Sequence, residues 1–208
     1  SILQTLMNAW SACSQGTFFT LTQSEYRFGH WNSRQDMHKI TLVQEQGKFY
    51  LAASSVNGKI KIFEQIDQAE FKEIIYFLAH DKDDENYNPD APSLGLQTDV
   101  WNITTRPSQN NGIVHIATAA EDFTSKIFEI DLQNKTHKEL ACLTGHKRAV
   151  TGIQWIYLPD GQERLITSSD DQYVRIYKVE NLKFELEKTL NTSFIKHWHT
   201  LTYMHVEP

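Results

Sequence analysis

The chain has 208 residues, of which 40% are hydrophobic and 22% are charged, a composition typical of a folded globular protein. Lys and Arg number 20 against 26 Asp and Glu, so the formal charge is −6 at pH 7, which argues against a general nucleic-acid binder with a basic face. No apolar run approaches the roughly 20 residues that a membrane-spanning helix needs. The 2 cysteines are too few for a disulfide framework or a four-cysteine zinc site.

Alternating apolar residues predict β-strands from the beginning of the chain. Residues 3–28 are expected to form a hairpin around Gln15 and Gly16. Residues 51–65 begin with an aliphatic residue and a patch of small residues, turn at Asn57, and continue as a strand with alternating apolar side chains. This pattern predicts a second hairpin.

The unit in residues 51–65 recurs twice without a gap, in residues 116–130 and 165–179. Asp and Asn suit the turns of these units because their short side chains cap backbone N–H groups and tolerate left-handed dihedrals. The following segment recurs as well, since residues 71–80 and 137–146 share a Lys-Glu pair and a final histidine. Such self-similarity predicts a repeat protein. In each unit an aromatic residue follows the turn residue in the closing strand, and the pairs are Asn57 with Phe63, Asp122 with Phe128, and Asp171 with Tyr177.

The first two units lie farther apart in the chain than the last two, and residues 81–98 account for the difference. This stretch is acidic and rich in Asn and Pro, which predicts an inserted surface loop. Residues 140–143 are expected to form the third strand of a unit, and residues 184–190 an outer strand. Residues 194–206 then alternate like the opening strand of a further unit.

These elements give four short antiparallel strands in about 40–50 residues, and radial repetition of such sheets gives a β-propeller. The expected fold is therefore all-β: a single propeller segment over residues 1–208, with about three full blades and partial blades at both ends. Propellers close with about four to eight blades. We therefore expect part of a ring of about seven blades, completed by a longer chain or by a partner; a sequence that begins at Ser1 fits a piece of a longer chain.

The last complete unit resembles a blade of the WD-repeat family. The resemblance rests on Gly145-His146, on the apolar strand with Ile153 and Trp155, on the turn Pro159-Asp160-Gly161, and on the small-residue strand and aspartate turn within residues 165–177. Tyr177-Lys178 stands where the family has Trp-Asp. The resemblance weakens toward the N-terminus, where Gly29-His30 is the expected start of the first unit.

The resemblance implies a buried hydrogen-bond network in each blade, formed by a histidine, a Ser or Thr, the turn aspartate and the tryptophan. In the first unit only Ala53 and Asn57 occupy the corresponding positions. The middle network is expected to be incomplete, because Phe128 cannot donate a hydrogen bond. The implied sets are His146, Thr167, Asp171 and Tyr177 in the last unit, and His80, Thr118 and Asp122 in the middle one.

Other residues suggest chemistry less strongly. His197, His199 and His205 lie on one side of a predicted strand, but three such histidines at this spacing fit a solvated face better than a zinc site. Residues 81–85 are acidic but lack the glycine and the final glutamate of a calcium-binding loop, so we expect a solvated loop. Cys142 lies in an apolar strand, and burial is expected to make it a poor nucleophile.

The sequence favours a non-catalytic scaffold that mediates protein–protein interaction within a multi-subunit complex, because no catalytic constellation accompanies the repeat. Two alternatives stay open: an adaptor that recruits a protein or RNA client to a catalytic partner, and an enzyme built on a propeller. The net charge speaks against RNA, and we expect no cofactor and a cytoplasmic or nuclear location. A small basic contact site for a partner is predicted at Lys147, Arg148, Arg106 and Lys196.

Overall fold

The computed structural model describes residues 37–67, 70–81, 98–106 and 111–192. Within these ranges the chain forms three antiparallel sheets of four strands each. No helix of the described residues is long and apolar enough to cross a bilayer. The first sheet contains β1 (Met37–Glu45), β2 (Lys48–Ser55), β3 (Lys59–Gln65) and β4 (Phe71–Leu78); the second β5 (Val100–Thr105), β6 (Ile113–Ala120), β7 (Ser125–Asp131) and β8 (Thr136–Leu143); the third β9 (Val150–Tyr157), β10 (Glu163–Ser169), β11 (Tyr173–Glu180) and β12 (Lys183–Asn191).

Strands follow one another across each sheet in chain order, so every connection within a sheet is a hairpin. Two of these hairpins have two-residue turns: Gln46 and Gly47 join β1 to β2 with φ of 50° and 77°, and Asn181 and Leu182 join β11 to β12 with φ of 50° and 59°. Two successive residues with positive φ match the right-handed twist of the flanking strands. Positive φ is sterically unfavourable for both Gln46 and Leu182, and the side chain of Leu182 packs against the core between the second and third sheets.

The hydrophobic core lies between neighbouring sheets. One cluster joins residues of the first sheet, such as Ile60 and Phe77, to residues of the second, such as Ile103 and Phe128. A second cluster joins Ala117, Ile127 and neighbours of the second sheet to the third, through Ile153, Trp155 and Leu165. Strand β6 carries apolar side chains on both faces because the second sheet is covered by the first sheet on one side and by the third on the other.

The first strand of each sheet lies innermost. Strand β5 contacts both β1 and β9, whereas β4, β8 and β12 form the outer edges. Face-to-face sheets that share an inner axis are the blades of a β-propeller, so the predicted fold class of four-stranded antiparallel blades is confirmed.

The repeat extends to irregularities of the ladders. In all three inner strands the register shifts at one residue, and this extra residue is His38 in β1, Trp101 in β5 and Thr151 in β9. The outer strands have a matching bulge, at Ile74, Leu140 and Glu187. Bulges bend a strand and aim a side chain away from its normal alternation. We call the end of the sheets with the inner-strand bulges the bulge end.

One detail of the predicted units was wrong: residues 140–143 belong to β8, which is the fourth and outermost strand of its sheet and not the third. The predicted turn residues lie in the turns, where Asn57 is left-handed with φ of 60° and the two aspartates accept backbone N–H groups. The residue after each of them is left-handed in all three turns: Gly58, Phe123 and Gln172 have φ of 75°, 71° and 69°. The predicted hairpin in residues 3–28, the loop within residues 82–97 and the strand in residues 194–206 lie outside the described residues.

Candidate functional site

The predicted middle network is fully buried at the bulge end. His80 follows β4, and its Nδ1 lies 2.8 Å from Asp122 Oδ2 while its Nε2 lies 2.8 Å from Thr118 Oγ1. Thr124, which the sequence analysis missed, donates to Asp122 Oδ1 through both its hydroxyl group and its backbone N–H, at 2.8 and 2.9 Å. Burial would raise the pKa of Asp122, but the charge of His80 and the hydrogen bonds from His80 and Thr124 outweigh it and lower the pKa.

The last network repeats this geometry. His146 Nδ1 lies 2.9 Å from Asp171 Oδ2, and His146 Nε2 lies 2.9 Å from Thr167 Oγ1. The backbone N–H groups of Lys147 and Tyr173 also donate to Asp171, each at 2.9 Å. Burial would raise the pKa of Asp171, yet these three hydrogen bonds prevail and hold the pKa at about 2. Each aspartate therefore links the histidine before a sheet to the second hairpin of that sheet.

The fourth predicted member, Tyr177, lies on the same side of the third sheet. Burial raises the pKa of its hydroxyl group, and hydrogen bonds with Arg175 and Thr167 offset part of that rise. Its ring is buried in the cluster between the second and third sheets. In the first sheet Ala53 is buried without a polar group, and the backbone N–H of Asn57 instead donates to Asp99 Oδ1 of the second sheet at 2.9 Å.

An aspartate, a histidine and a hydroxyl group in this order have the arrangement of a hydrolytic triad, but burial forbids that use here. Thr118 and Thr167 are both 0% exposed, so no substrate reaches their hydroxyl oxygens. A nucleophile must contact the bond it attacks. The two networks instead provide partners for polar groups inside the blades.

Each sheet has a basic residue at the same position of its third strand. These residues contact the repeated glutamates in two sheets and the Gly-His segment in the third. Lys61 and Lys126 pair with Glu73 at 2.7 Å and Glu139 at 3.1 Å, the two glutamates of the repeated Lys-Glu motif. Arg175 occupies the same position in the third sheet, and its guanidinium group donates to the backbone carbonyls of Thr144 and Gly145.

Gly145 makes this arginine contact feasible. Its φ is 108°, and an added Cβ would lie 2.2 Å from Arg175 Nη1. The positive φ requires a glycine at this position of the Gly-His pair, and the absence of a Cβ leaves room for the arginine. In the middle network Ala79 precedes the histidine, and the corresponding Lys126 turns to Glu139.

The predicted basic contact site does not form as one cluster. Lys147 and Arg148 are exposed at the bulge end. Arg106 follows β5 at the opposite end, where it forms a two-point ion pair with Glu163 of the third sheet at 2.6 and 2.9 Å. Its guanidinium group also lies 6.0 Å from the ring centre of Trp155. The prediction for Arg106 was wrong because an inner-strand end faces the neighbouring blade, and Lys196 lies outside the described residues.

A second polar cluster lies at the bulge end near the inner strands, and the sequence analysis did not detect it. The rings of His38 and Trp101 are 4.5 Å apart, and Trp101 Nε1 donates to Glu121 Oε2 at 2.7 Å. Asp99 Oδ2 lies 3.6 Å from His38 Nε2. The unequal strands of a bulge leave no periodic signal in the sequence, so these residues were not recognised as neighbours.

Cys142 is half-buried in β8, and burial raises the pKa of its thiol to about 11. It is therefore almost entirely protonated at neutral pH and a weak nucleophile. Among the described residues no group of three or more His, Cys, Asp or Glu side chains converges in a way that would hold a metal ion. The candidate histidines 197, 199 and 205 lie outside those residues.

The family comparison agrees with this geometry. Residues 137–178, from the outer strand of the second sheet to the third strand of the third sheet, match the family model described as WD domain, G-beta repeat. These residues are similar to a WD40 repeat. The match includes Gly145-His146 and the turn aspartate Asp171. The chain as a whole matches no curated protein sequence.

Solved structures share the arrangement of the sheets. The chain is similar to the WD40 β-propeller domain of Doa1, with 19% identity and a TM-score of 0.48 over 75% of this chain. It is also similar to a putative 6-phosphogluconolactonase from Bacteroides fragilis, with 15% identity and a TM-score of 0.53 over 76% of this chain. The alignment covers 40% of either solved chain. At these identities the likeness concerns the fold alone.

Proposed function

We propose that this chain is a non-catalytic WD-repeat scaffold whose bulge end binds a protein partner within a multi-subunit complex. WD40 propeller domains generally mediate protein–protein interaction, and residues 137–178 of this chain are similar to a WD40 repeat. Partial blades at both ends and a surrounding ring of about seven blades belong to the same proposal. So does a location in the cytoplasm or the nucleus.

One observation carries the proposal: the same irregularity recurs in three successive blades at the same end. The bulges aim His38, Trp101 and Thr151 out of the ladder, and all three side chains are partly exposed. The exposed Lys147 and Arg148 lie at the same end. Side chains presented by rigid sheets form a preorganised surface, which lowers the entropy lost on binding.

At the opposite end, two polar groups are occupied by contacts within the chain. Arg106 pairs with Glu163 there, and the buried Glu45 carboxylate accepts a hydrogen bond from Gly112 N–H at 2.8 Å. Both contacts join neighbouring blades. Polar groups used in this way stabilise the blade interfaces and present little to a partner.

The alternatives receive less support. An enzyme built on the propeller needs reactive groups that a substrate reaches, whereas the triad-like threonines are buried. The similarity to a putative lactonase is a similarity of fold. An adaptor for an RNA client needs a basic surface, while the chain carries a formal charge of −6. An adaptor for a protein client uses the same surface as a scaffold.

The proposal is tested by charge reversal at the two ends. Cells express a tagged chain with Lys147→Glu and Arg148→Glu, or a control chain with Lys135→Glu and Lys183→Glu in exposed hairpins of the opposite end. Co-purified subunits are quantified by mass spectrometry, and circular dichroism verifies that both variants are folded. We expect the bulge-end variant alone to lose its partners. Equal recovery with both variants, or partners lost only with the control, would contradict the proposal.

A further inference from the structure

The outer edge of the first sheet carries two exposed apolar side chains. Tyr76 and Leu78 of β4 are 49% and 45% exposed, and they lie on one face of the strand, opposite Lys61 and Lys59 of β3. Proteins usually protect an edge strand with charged side chains, with Pro or with a covering segment, because an open edge pairs with other chains. Between the bulge at Ile74 and its end, β4 has no charged residue. This part of the edge is therefore suited to pairing with another strand.

The repeat does not require large apolar residues at these two positions. The matching positions in the other sheets follow from the basic residue of the third strand, which lies opposite Cys142 in the second sheet and Thr189 in the third. Two residues further along, the matching residues are Thr144 and Asn191. All four are small or polar. The large apolar side chains of β4 are thus particular to the first of the three described sheets and are not part of the common blade.

The backbone groups of the same two residues are directed at the open edge. Ala79, which follows β4, donates its N–H to the carbonyl oxygen of Gly58 at 2.7 Å. Hydrogen-bonded and non-hydrogen-bonded pairs alternate along an antiparallel ladder, so the pairs that Tyr76 and Leu78 form with β3 are non-hydrogen-bonded. Their N–H and C=O groups therefore face away from β3, toward the side where no strand of the described ranges pairs with β4.

The surroundings of the tyrosine ring favour an acidic occupant. Lys59 Nζ and Lys61 Nζ lie 5.8 and 5.6 Å from the ring centre of Tyr76. Lys61 is paired with Glu73 at 2.7 Å, whereas Lys59 forms no ion pair within the part of the chain that the structure describes. An ammonium group beside an apolar edge attracts a carboxylate. A second copy of this chain fits poorly, because pairing β4 with itself would bring the lysines of both copies to one face of the joined sheet.

We propose that β4 binds an extended acidic segment of a partner protein, which adds to the first sheet as a further strand. The backbone of the segment pairs with Tyr76 and Leu78. Its side chains opposite these residues lie on the same face of the sheet, where an apolar one contacts Leu78 and a carboxylate reaches Lys59. In such strand addition the main-chain hydrogen bonds give affinity and the side chains give specificity. This site is on the outer edge, apart from the inner-strand bulges, so the inference goes beyond the proposed function.

The experiment uses a synthetic peptide with blocked ends, Thr-Glu-Thr-Val-Thr-Glu-Thr, as the probe. A second peptide has Lys in place of Glu, and a third carries N-methyl groups on alternate residues, which removes the N–H groups that would pair with β4. Amide hydrogen exchange of Tyr76 and Leu78 is measured by NMR on the full chain, and affinity is obtained by titration. The variant is Lys59→Gln, and the matched control is Lys138→Gln, which removes the same charge from an exposed position on β8.

We expect the acidic peptide at saturation to slow the exchange of both amides at least about tenfold, and the other two peptides to leave exchange unchanged. Lys59→Gln weakens binding about threefold, as is typical of a lost exposed ion pair, whereas Lys138→Gln leaves affinity unchanged. The inference is overturned if the acidic peptide protects neither amide, if the lysine or N-methylated peptide binds as well, or if both variants weaken binding equally.

The oligomeric state of the peptide-free chain is measured by light scattering in the same buffer. We expect a monomer. A dimer in which the amides of Tyr76 and Leu78 are already protected would assign the edge to a second copy and would also overturn the inference. These results are separate from the proposed function, because the peptide either protects β4 or fails to do so whatever the charge-reversal variants do at the bulge end.

Discussion

Asp171→Asn is the substitution that tests the His146 network most sharply. Asp171 Oδ2 accepts hydrogen bonds from His146 Nδ1 and Lys147 N–H, and Oδ1 accepts the N–H of Tyr173. Asn has the same shape but one oxygen in place of two. If the amide oxygen faces Tyr173, the amide NH₂ group faces the other two N–H donors and both hydrogen bonds are lost. If it is turned round, Tyr173 loses its partner.

The magnitude can be worked out in two ways from the same hydrogen bonds. Two lost hydrogen bonds at a nearly buried carboxylate cost about 2–4 kcal/mol in unfolding free energy. The pKa of Asp171 is about 2 against an ordinary value of 3.8, which corresponds to about 2 kcal/mol at neutral pH. Because the folded pKa is the lower one, this stabilisation is complete above the unfolded pKa and disappears as the pH falls through about 2.

Urea unfolding at pH 7 and pH 3 measures both effects. At pH 7 the variant is expected to be about 2–4 kcal/mol less stable than the parent chain, and at pH 3 about half of the ionisation-linked part of that difference is gone. The control is Asp160→Asn in an exposed turn, where the asparagine oxygen can still accept the Gln162 N–H. A loss at pH 7 no larger than that of the control, or a difference that does not shrink at pH 3, would refute the reasoning.

Three further predictions concern the glycine turn, the blade interface and the thiol. Gly58→Ala places a Cβ 1.8 Å from a backbone carbonyl oxygen and is expected to cost about 3 kcal/mol in thermal or urea unfolding. Gly47→Ala, whose Cβ meets nothing within 4 Å, is expected to cost about 1 kcal/mol. Equal losses would show that the positive φ alone determines the cost. A double-mutant cycle of Arg106→Met and Glu163→Gln is expected to give a coupling energy of about 1–3 kcal/mol between the second and third sheets, and a value near zero would deny the contact a role. Because burial raises the pKa of Cys142 to about 11, peptide-resolved alkylation at pH 8 is expected to be slow in the folded chain and fast in urea, and rapid labelling of folded protein would contradict its burial.

The fold was predictable because its signal is periodic. The repeated small-residue strand, turn and aromatic strand fixed the positions of β2 and β3, β6 and β7, and β10 and β11 in the chain. The Lys-Glu motif also has a structural cause. Glu73 and Glu139 recur because they form ion pairs with Lys61 and Lys126, which recur at the same position of the third strand. The alignment of the three units contains that pairing, and the sequence analysis did not use it.

The candidate site was less predictable because it depends on contacts between blades. Thr124 strengthens the middle network through a local turn, and an Asp-x-Thr spacing is a detectable signal for such a turn. Arg106 was predicted to contact a partner, but its guanidinium group forms an ion pair with Glu163, which lies in the next blade. His38 and Trp101 meet only because each is the extra residue of a bulge, and no alternation pattern reveals a bulge.

The account depends on the three sheets being successive blades that pack face to face around a shared inner axis. Methyl-resolved NOE spectra of the labelled chain test this most directly. The account predicts cross-peaks between the methyl groups of Ala117 or Ile127 in the second sheet and those of Ile153 or Leu165 in the third. Cross-peaks confined to single sheets, with none between sheets, would contradict it.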